Sequence, residues 1–328
     1  SRVYLYMGRN GDVITLVNDM LGGADPSTKL EPSETYDKYF ANALDSRETL
    51  WAVAHTTNEN RGASSIGSMF LTDGVGWGEI YSSDPYNDLL GRYDNDLRHN
   101  FIKPQYTGSG KYMVRWAIPG SDDFYENTFR EVTFESSTGK YYFTEGSGKI
   151  YVETEDVNGY PLNYIVLDGV KHRARVAPEM YDRYGLPKFY VTKFSYQNGE
   201  PMLSSPVMLR WAEVILNRAE AYAKEGNSAG ALSDVNAIRS RAGLSGNQLF
   251  SQTNMLGYSN VLDIVLDERR LELSFEGHRA YDIYRNQKSL DRRFSGAQPW
   301  EVIDYTENKI QYLIPQDEIT VSGIPQNL

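Results

Sequence analysis

An aromatic ring and polar side chains held together in an exposed loop can bind a small ligand: the ring face covers an apolar face, and carboxylates, amides or guanidinium groups around it bond polar groups. Of the five Trp, Trp77 stands in Thr72-Asp73-Gly74-Val75-Gly76-Trp77-Gly78-Glu79, a loop with Gly on both sides of the ring. Asp73, Glu79 and Tyr81 are close enough in sequence to add polar contacts. A large ring in such a loop either meets a ligand or packs inward to anchor the loop, and the spacing leaves both readings open. Trp116 and Trp300 are weaker candidates, and Tyr86, Asn87, Arg92 and Tyr93 weaker still. Trp211 falls inside an apolar helical stripe and reads as core; Trp51 lies in a strand and reads as packed.

Other chemistry is poorly served. Glu268, Arg269, Glu272, Glu276 and Arg279 recur at spacings of three and four, so their side chains can meet along one helix. Glycoside hydrolysis needs two carboxyls roughly 5–9.5 Å apart across an open cleft, normally from different elements. Adjacent turns with Arg interleaved fit a buried ion-pair network better. The same holds for Arg210, Glu213 and Glu220, and for Arg239 and Arg241. Glu153, Glu155, Asp156, Asn158 and Gly159 miss the spacing of a calcium loop and read as a polar turn. No phosphate loop, nucleophile elbow or zinc-protease motif occurs. The 328 residues include no Cys, which removes disulfides, thiolate zinc sites, Fe–S clusters and Cys nucleophiles; four His make a multi-His metal site improbable. No cofactor is expected.

The formal net charge is −11, so nucleic acid is a poor partner. Tyr is in excess, 25 against 12 Phe, which suits wet binding surfaces, although large α+β extracellular proteins often carry many Tyr without that role. No apolar run is long enough for a membrane-spanning helix, and no signal-peptide pattern is present. The opening Ser1-Arg2-Val3-Tyr4-Leu5-Tyr6 reads as mid-helix, so the sequence is expected to be a fragment whose N-terminus lies upstream, with any targeting segment or lipidated Cys.

The elements that must carry these residues fall into three regions. Residues 1–21 read as a helical pair around the turn at Gly8 to Gly11. Residues 22–205 read as an irregular region: a short helix over 36–44, a strand over Thr49–Thr57, and strands over Lys111–Ala117, Phe129–Phe134, Lys140–Thr144, Lys149–Glu153 and Leu162–Leu167. Turns at Ser137-Thr138-Gly139 and Gly146-Ser147-Gly148 make hairpins of the run Val132–Glu153. Residues 206–328 read as helical pairs and a tail. Val207–Glu225 and Ala229–Ala242 form a helical hairpin, Asn260–Tyr284 is helical with Gly277 ending or kinking it, and Lys309–Ile314 reads as a strand before a turn at Pro315. The two hairpins match: Tyr4 and Tyr222 each precede a Gly (Gly8, Gly226) by four residues. That is a tetratricopeptide-like signature, split by a large insertion, and the helical parts are expected to pack together.

Three stretches in this order resemble one family: Leu209-Arg210-Trp211-Ala212-Glu213-Val214-Ile215-Leu216-Asn217-Arg218-Ala219-Glu220-Ala221; Asn236-Ala237-Ile238-Arg239-Ser240-Arg241-Ala242-Gly243-Leu244; and Glu268-Arg269-Arg270-Leu271-Glu272-Leu273-Ser274-Phe275-Glu276-Gly277-His278-Arg279, continuing to Asp282 and Arg285. Together they are similar to the SusD/RagB family of outer-membrane glycan-binding lipoproteins. Tyr312 to Ile319, Pro325-Gln326-Asn327 and Tyr93-Asp94-Asn95-Asp96-Leu97-Arg98 add to the likeness, which is strong from Phe194 onward and loose before it.

The resemblance implies a single SusD-like domain over 1–328, α+β and mainly α, with tetratricopeptide-like helical pairs and a large irregular insertion carrying short β-hairpins. It also implies a cell-surface protein, not an enzyme, that binds an oligosaccharide or polysaccharide. Such a protein delivers its ligand to a SusC-like TonB-dependent outer-membrane transporter and is held to the membrane by a lipid anchor that this sequence lacks. A tetratricopeptide-type interaction scaffold, a peptide binder and a hydrolase are the rival readings.

Overall fold

The computed structural model describes every residue except 73, 117–127, 158–159, 184, 295–297, 300, 308–309, 311 and 327–328. In chain order the helices are α1 (Arg2–Tyr6), α2 (Asn10–Leu21), α3 (Ile66–Phe70), α4 (Asp84–Leu90), α5 (Trp211–Lys224), α6 (Ser228–Arg241), α7 (Val261–Glu272), α8 (Arg279–Tyr284) and α9 (Gln316–Ser322). The strands are β1 (Thr49–Ala52), β2 (Ile102–Pro104), β3 (Tyr112–Trp116), β4 (Thr128–Glu135), β5 (Lys140–Glu145), β6 (Gly148–Tyr151), β7 (Glu153–Val157), β8 (Tyr160–Leu167), β9 (Val170–Pro178), β10 (Asp182–Arg183), β11 (Leu186–Pro187), β12 (Phe189–Val191), β13 (Val207–Arg210), β14 (Leu290–Asp291) and β15 (Val302–Ile303).

The helical layer is built around α5. A helix apolar on one stripe buries one face; α5 is buried from Trp211 to Ala221 without a break, so neighbours cover it all round. They are α2, α6 and α7, and the shared core includes Leu5, Val13 and Val17 with Ile215, Leu216, Val235, Ile238 and Val265. The two helical hairpins, far apart in sequence, thus pack together. Their turns use Gly8 and Gly226 at φ +71° and +77°, where a side chain would be strained.

The insertion is more ordered than its sequence indicates. β3 to β9 form one antiparallel sheet in the order β6-β5-β4-β3-β9-β8-β7. Alternation places Val114, Trp116, Val132, Phe143, Val152 and Ile165 in its core. The expected hairpins are present. The description "mainly α" does not fit a chain with a sheet of seven strands; the class is α+β. Glu153–Val157, read as a polar turn, is strand β7 paired with β8, while Asn158 and Gly159 lie outside the described residues.

Further readings change. Val207–Arg210 is strand, not the start of α5, because it pairs with β1. The 36–44 helix is two 3₁₀ turns, Tyr36–Lys38 and Phe40–Asp45. Helix α7 stops at Glu272, five residues before Gly277, and Phe275 already has φ +66°. Tyr312–Ile314 are not strand, and α9 follows Pro315 where a turn was expected; Tyr312 is 92% exposed. A third cluster, Phe70, Tyr86, Leu89, Leu90, Ile102, Val191 and Phe194 with Leu271 of α7, joins the irregular region to the helices.

Candidate functional site

The Trp77 loop is built by α3 and its return. Ser65 caps α3, and its hydroxyl accepts from the Ser68 N–H. After the turn from Thr72 to Gly76 the chain doubles back over the helix. The Trp77 N–H donates to the Ser68 carbonyl at 2.7 Å and the Ile80 N–H to the Met69 carbonyl at 2.8 Å. The return is so close that a Cβ on Gly76 would stand 2.5 Å from the Ser68 carbonyl oxygen and 2.9 Å from Leu71 Cβ. Only Gly fits.

The ring of Trp77 is 55% exposed, yet fixed. Its indole N–H donates to the Ala63 carbonyl at 2.8 Å, and its own carbonyl accepts from Arg183 Nη1 at 2.8 Å. Arg183 Nη2 also bonds the Glu79 carboxylate. The result is an aromatic face in solvent, held from behind and below. Glu79 and Tyr81 line an adjoining cleft of about 590 Å³, together with Ser83, Arg292, Phe294 and Gln298. Burial raises the Tyr81 phenol above its ordinary pKa, so it stays a neutral donor and acceptor. Tyr81, Ser83 and Phe294 also line a second cleft of about 580 Å³.

Trp116 does not belong to this surface. It is 5% exposed and stacks on Phe143, centroids 5.5 Å apart, because strand alternation turns it with Val114 into the sheet core. Asp73 and Trp300 lie outside the described residues. Tyr86 is buried and its hydroxyl meets Ser274; Arg92 donates to the Tyr258 hydroxyl. Trp51, expected to be packed, is 56% exposed because β1 pairs with β13 alone. Trp211 is buried as expected. Arg292, Phe294 and Gln298 were not anticipated; they join Glu79 across more than two hundred residues of chain, a distance that carries no local signal.

The Glu and Arg residues of the helical motifs form a buried network. Arg210 Nη1 reaches Glu48 Oε1 at 2.7 Å and Glu272 Oε1 at 2.6 Å, and its Nε reaches Glu276 Oε2 at 2.9 Å. Arg241 bonds Glu48 at 2.6 Å and also Glu272. Lys193 Nζ donates to Glu276 at 2.8 Å. Three cations here face three carboxylates. Arg98 next to them bonds Asp96 and Glu268, each at 2.6 Å, and Arg239 bonds Glu268 at 3.0 Å. Burial alone would push the carboxyls up, but the surrounding cations win. Glu276 falls to about 2, and Glu272 also lies far below the usual carboxylate range. Arg279, expected in this network, is outside it: its Nη1 donates to the Leu266 carbonyl at 3.3 Å. Among the described residues no group of three or more His, Cys, Asp and Glu could hold a metal, and no helix is long and apolar enough to cross a membrane.

A helical layer thus carries an irregular, sheet-bearing layer, and a fixed, exposed indole stands beside polar clefts. Residues 47–323 match the sequence model of the SusD family, and the chain belongs to that family. A SusD-like protein of Formosa agariphila is 29% identical over 206 residues, 60% of this chain and 39% of that protein. Among solved structures, a SusD superfamily protein from Bacteroides thetaiotaomicron superposes with a TM-score of 0.62 at 23% identity, covering 100% of this chain and 58% of that one. The surface glycan-binding protein A of Bacteroides uniformis gives a TM-score of 0.54 at 16% identity, over 99% of this chain and 58% of that one. The chain thus spans about two fifths of the Formosa relative and a little over half of each of these solved chains.

Proposed function

We propose that this protein captures oligosaccharides at the outer face of the outer membrane, without cleaving them, and delivers them to a SusC-like TonB-dependent transporter. The observation that carries the reading is Trp77. Its indole is held by its own N–H and by its backbone, so a stacking sugar pays little ordering cost, and Glu79, Tyr81, Arg292 and Gln298 stand around the adjoining cleft to bond hydroxyls. Family membership and the name of the Bacteroides uniformis neighbour support a glycan as ligand. The transporter, the lipid anchor and a tetratricopeptide-like scaffold of helical pairs over residues 1–21 and 206–328 rest on the resemblance in sequence.

The buried carboxylates support a non-enzymatic role. A glycosidase needs one carboxyl protonated near neutral pH, with its pKa raised. Glu272 and Glu276 are shifted the other way and enclosed by Arg210, Arg241 and Lys193. The test is calorimetry of the protein against a panel of neutral and acidic oligosaccharides, with a reducing-end assay alongside. Binding without release of reducing ends, lost in Trp77→Ala, supports capture; release of sugar overturns it. A folded protein that binds no sugar overturns it too, in favour of a peptide ligand or a protein scaffold.

A further inference from the structure

The 580 Å³ cleft behind Tyr81 is unlike the rest of this acidic chain. Arg173, Arg270, Arg279 and Arg293 line it, and Asp291 is the one carboxylate among its described lining residues. Asp291 is taken by Arg293, and Arg173 pairs with Asp88 at 2.6 Å. Arg270 and Arg279 have no ion pair among the described residues. Asp267, one turn before Arg270, is engaged by the Tyr258 hydroxyl at 2.8 Å.

Where the chain shuts an arginine off from solvent, it supplies a carboxylate, whereas the half-buried Arg115, outside this cleft, bonds only the Gly185 carbonyl among the described residues. Arg98 has Asp96, Arg210 has Glu272, Arg239 has Glu268, Arg241 has Glu48 and Arg269 has Asp282, each within 3.0 Å. Arg270 and Arg279 are each half-buried and lie beside one another without a direct ion pair among the described residues; Asp267 acts on both and Asp282 on Arg279 from a distance, and burial outweighs them. Burial pushes both guanidinium groups below their ordinary pKa, Arg279 to about 10 with the charge of Arg270 adding to the effect. Two partly desolvated cations left unpaired in a protein of net charge −11 leave a place for an anion from outside. The planar guanidinium suits a carboxylate or a sulfate, which it binds with two parallel N–H groups. Tyr81, Ser83 and Phe294 join this cleft to the one beside Trp77, so one ligand can occupy both.

We infer that the Arg270–Arg279 cleft is a subsite for the anionic substituent of an acidic glycan, a uronate carboxylate or a sulfate ester. The inference rests on the glycan-capture reading and names its substrate class. Calorimetry with uronate oligomers, sulfated oligosaccharides, and the methyl-esterified or desulfated form of each is the test; the arm that binds tells carboxylate from sulfate.

Expected is binding of an acidic oligosaccharide at least about tenfold tighter than its neutralised form, with that preference lost in Arg270→Gln, partly restored in Arg270→Lys and weakened in the exposed Arg293→Gln. Arg270→Gln should fold with unchanged or raised thermal stability, since it removes a partly buried cation that has no direct ion pair; a fall in stability would mark a structural pairing with Asp267 instead and overturn the assignment. Equal affinity for acidic and neutralised forms, or acidic binding indifferent to Arg270→Gln, overturns it as well. Binding of neutral sugars alone through Trp77 overturns this inference and leaves capture standing, whereas no binding of any sugar overturns both.

Discussion

Arg210 Nη1 lies 2.6 Å from Oε1 of Glu272, a residue 62 positions further along the chain, and both side chains are shut off from solvent, at 1% and 0% exposure. The pair ties the end of β13 to the end of α7, and through Glu48 and Arg241 it also holds the segment before β1 and the end of α6. Buried pairs of this kind contribute little net stability over an apolar core, but breaking one leaves a naked charge. Glu272→Gln is therefore expected to cost about 3–5 kcal/mol. Urea unfolding of the variant should show the midpoint fall with an unchanged slope; a shift under about 1 kcal/mol would mean that the network is hydrated and weak.

The same network makes stability depend on acid. Glu276 titrates near 2 in the folded protein and Glu272 is depressed as well; Glu220, in a separate buried cluster with Arg285 and Arg269, also falls to about 2. A carboxyl with a folded pKa below its unfolded value of about 4.5 stabilises fully above 4.5, and that contribution is lost as pH falls toward 2. Burial lowers the His278 imidazole below its usual value, which has the same sign and begins nearer pH 6.5. Thermal midpoints should hold steady at neutral pH, sag slightly below about 6.5 and fall steeply below about 4.5. Raised stability at pH 4 would refute the ion-pair account.

How much of this was legible in the sequence follows from which signals are local. The α5–α6 hairpin announced itself through apolar spacing and Gly226, and the β4–β5–β6 meander through its turn glycines. The pairing of β3 with β9 did not, since no spacing specifies which distant strands meet. Trp116 was readable as core in hindsight, because it shares the alternating face of Val114. Trp51 was not, because its exposure comes from β1 having a single partner. The loop that presents Trp77 was visible in its glycines, but Arg292, Phe294, Arg270 and Arg279 reach the clefts only through tertiary folding.

Trp77 and Trp116 separate binding from folding. Trp116→Ala empties a stacked position in the sheet core and should cost about 3–5 kcal/mol of stability, without changing the sugar affinity of the protein that remains folded. Trp77→Ala removes a half-exposed ring and one hydrogen bond, about 1 kcal/mol of stability, but should weaken sugar binding by about 2 kcal/mol or more, near thirtyfold. Paired unfolding curves and titrations check both. If Trp116→Ala alone lost affinity, the binding surface would have to be moved to the sheet.

Gly76→Ala tests whether the ring must be held in place or only be present. The added methyl would meet the Ser68 carbonyl oxygen at 2.5 Å, and that carbonyl also accepts the Trp77 N–H, so relief of the clash moves the chain off α3 just where Trp77 is fixed. The Ala63 and Arg183 bonds to Trp77 depend on the same placement. The variant keeps every aromatic and charged group of the site, and its global unfolding should change little beyond the local strain. Its sugar affinity should drop nearly as far as in Trp77→Ala, with Trp fluorescence shifted because the indole environment is loosened. Retained affinity with a shifted fluorescence spectrum would show that a mobile indole serves as well as a fixed one, and preorganisation of the loop would then have no part in binding.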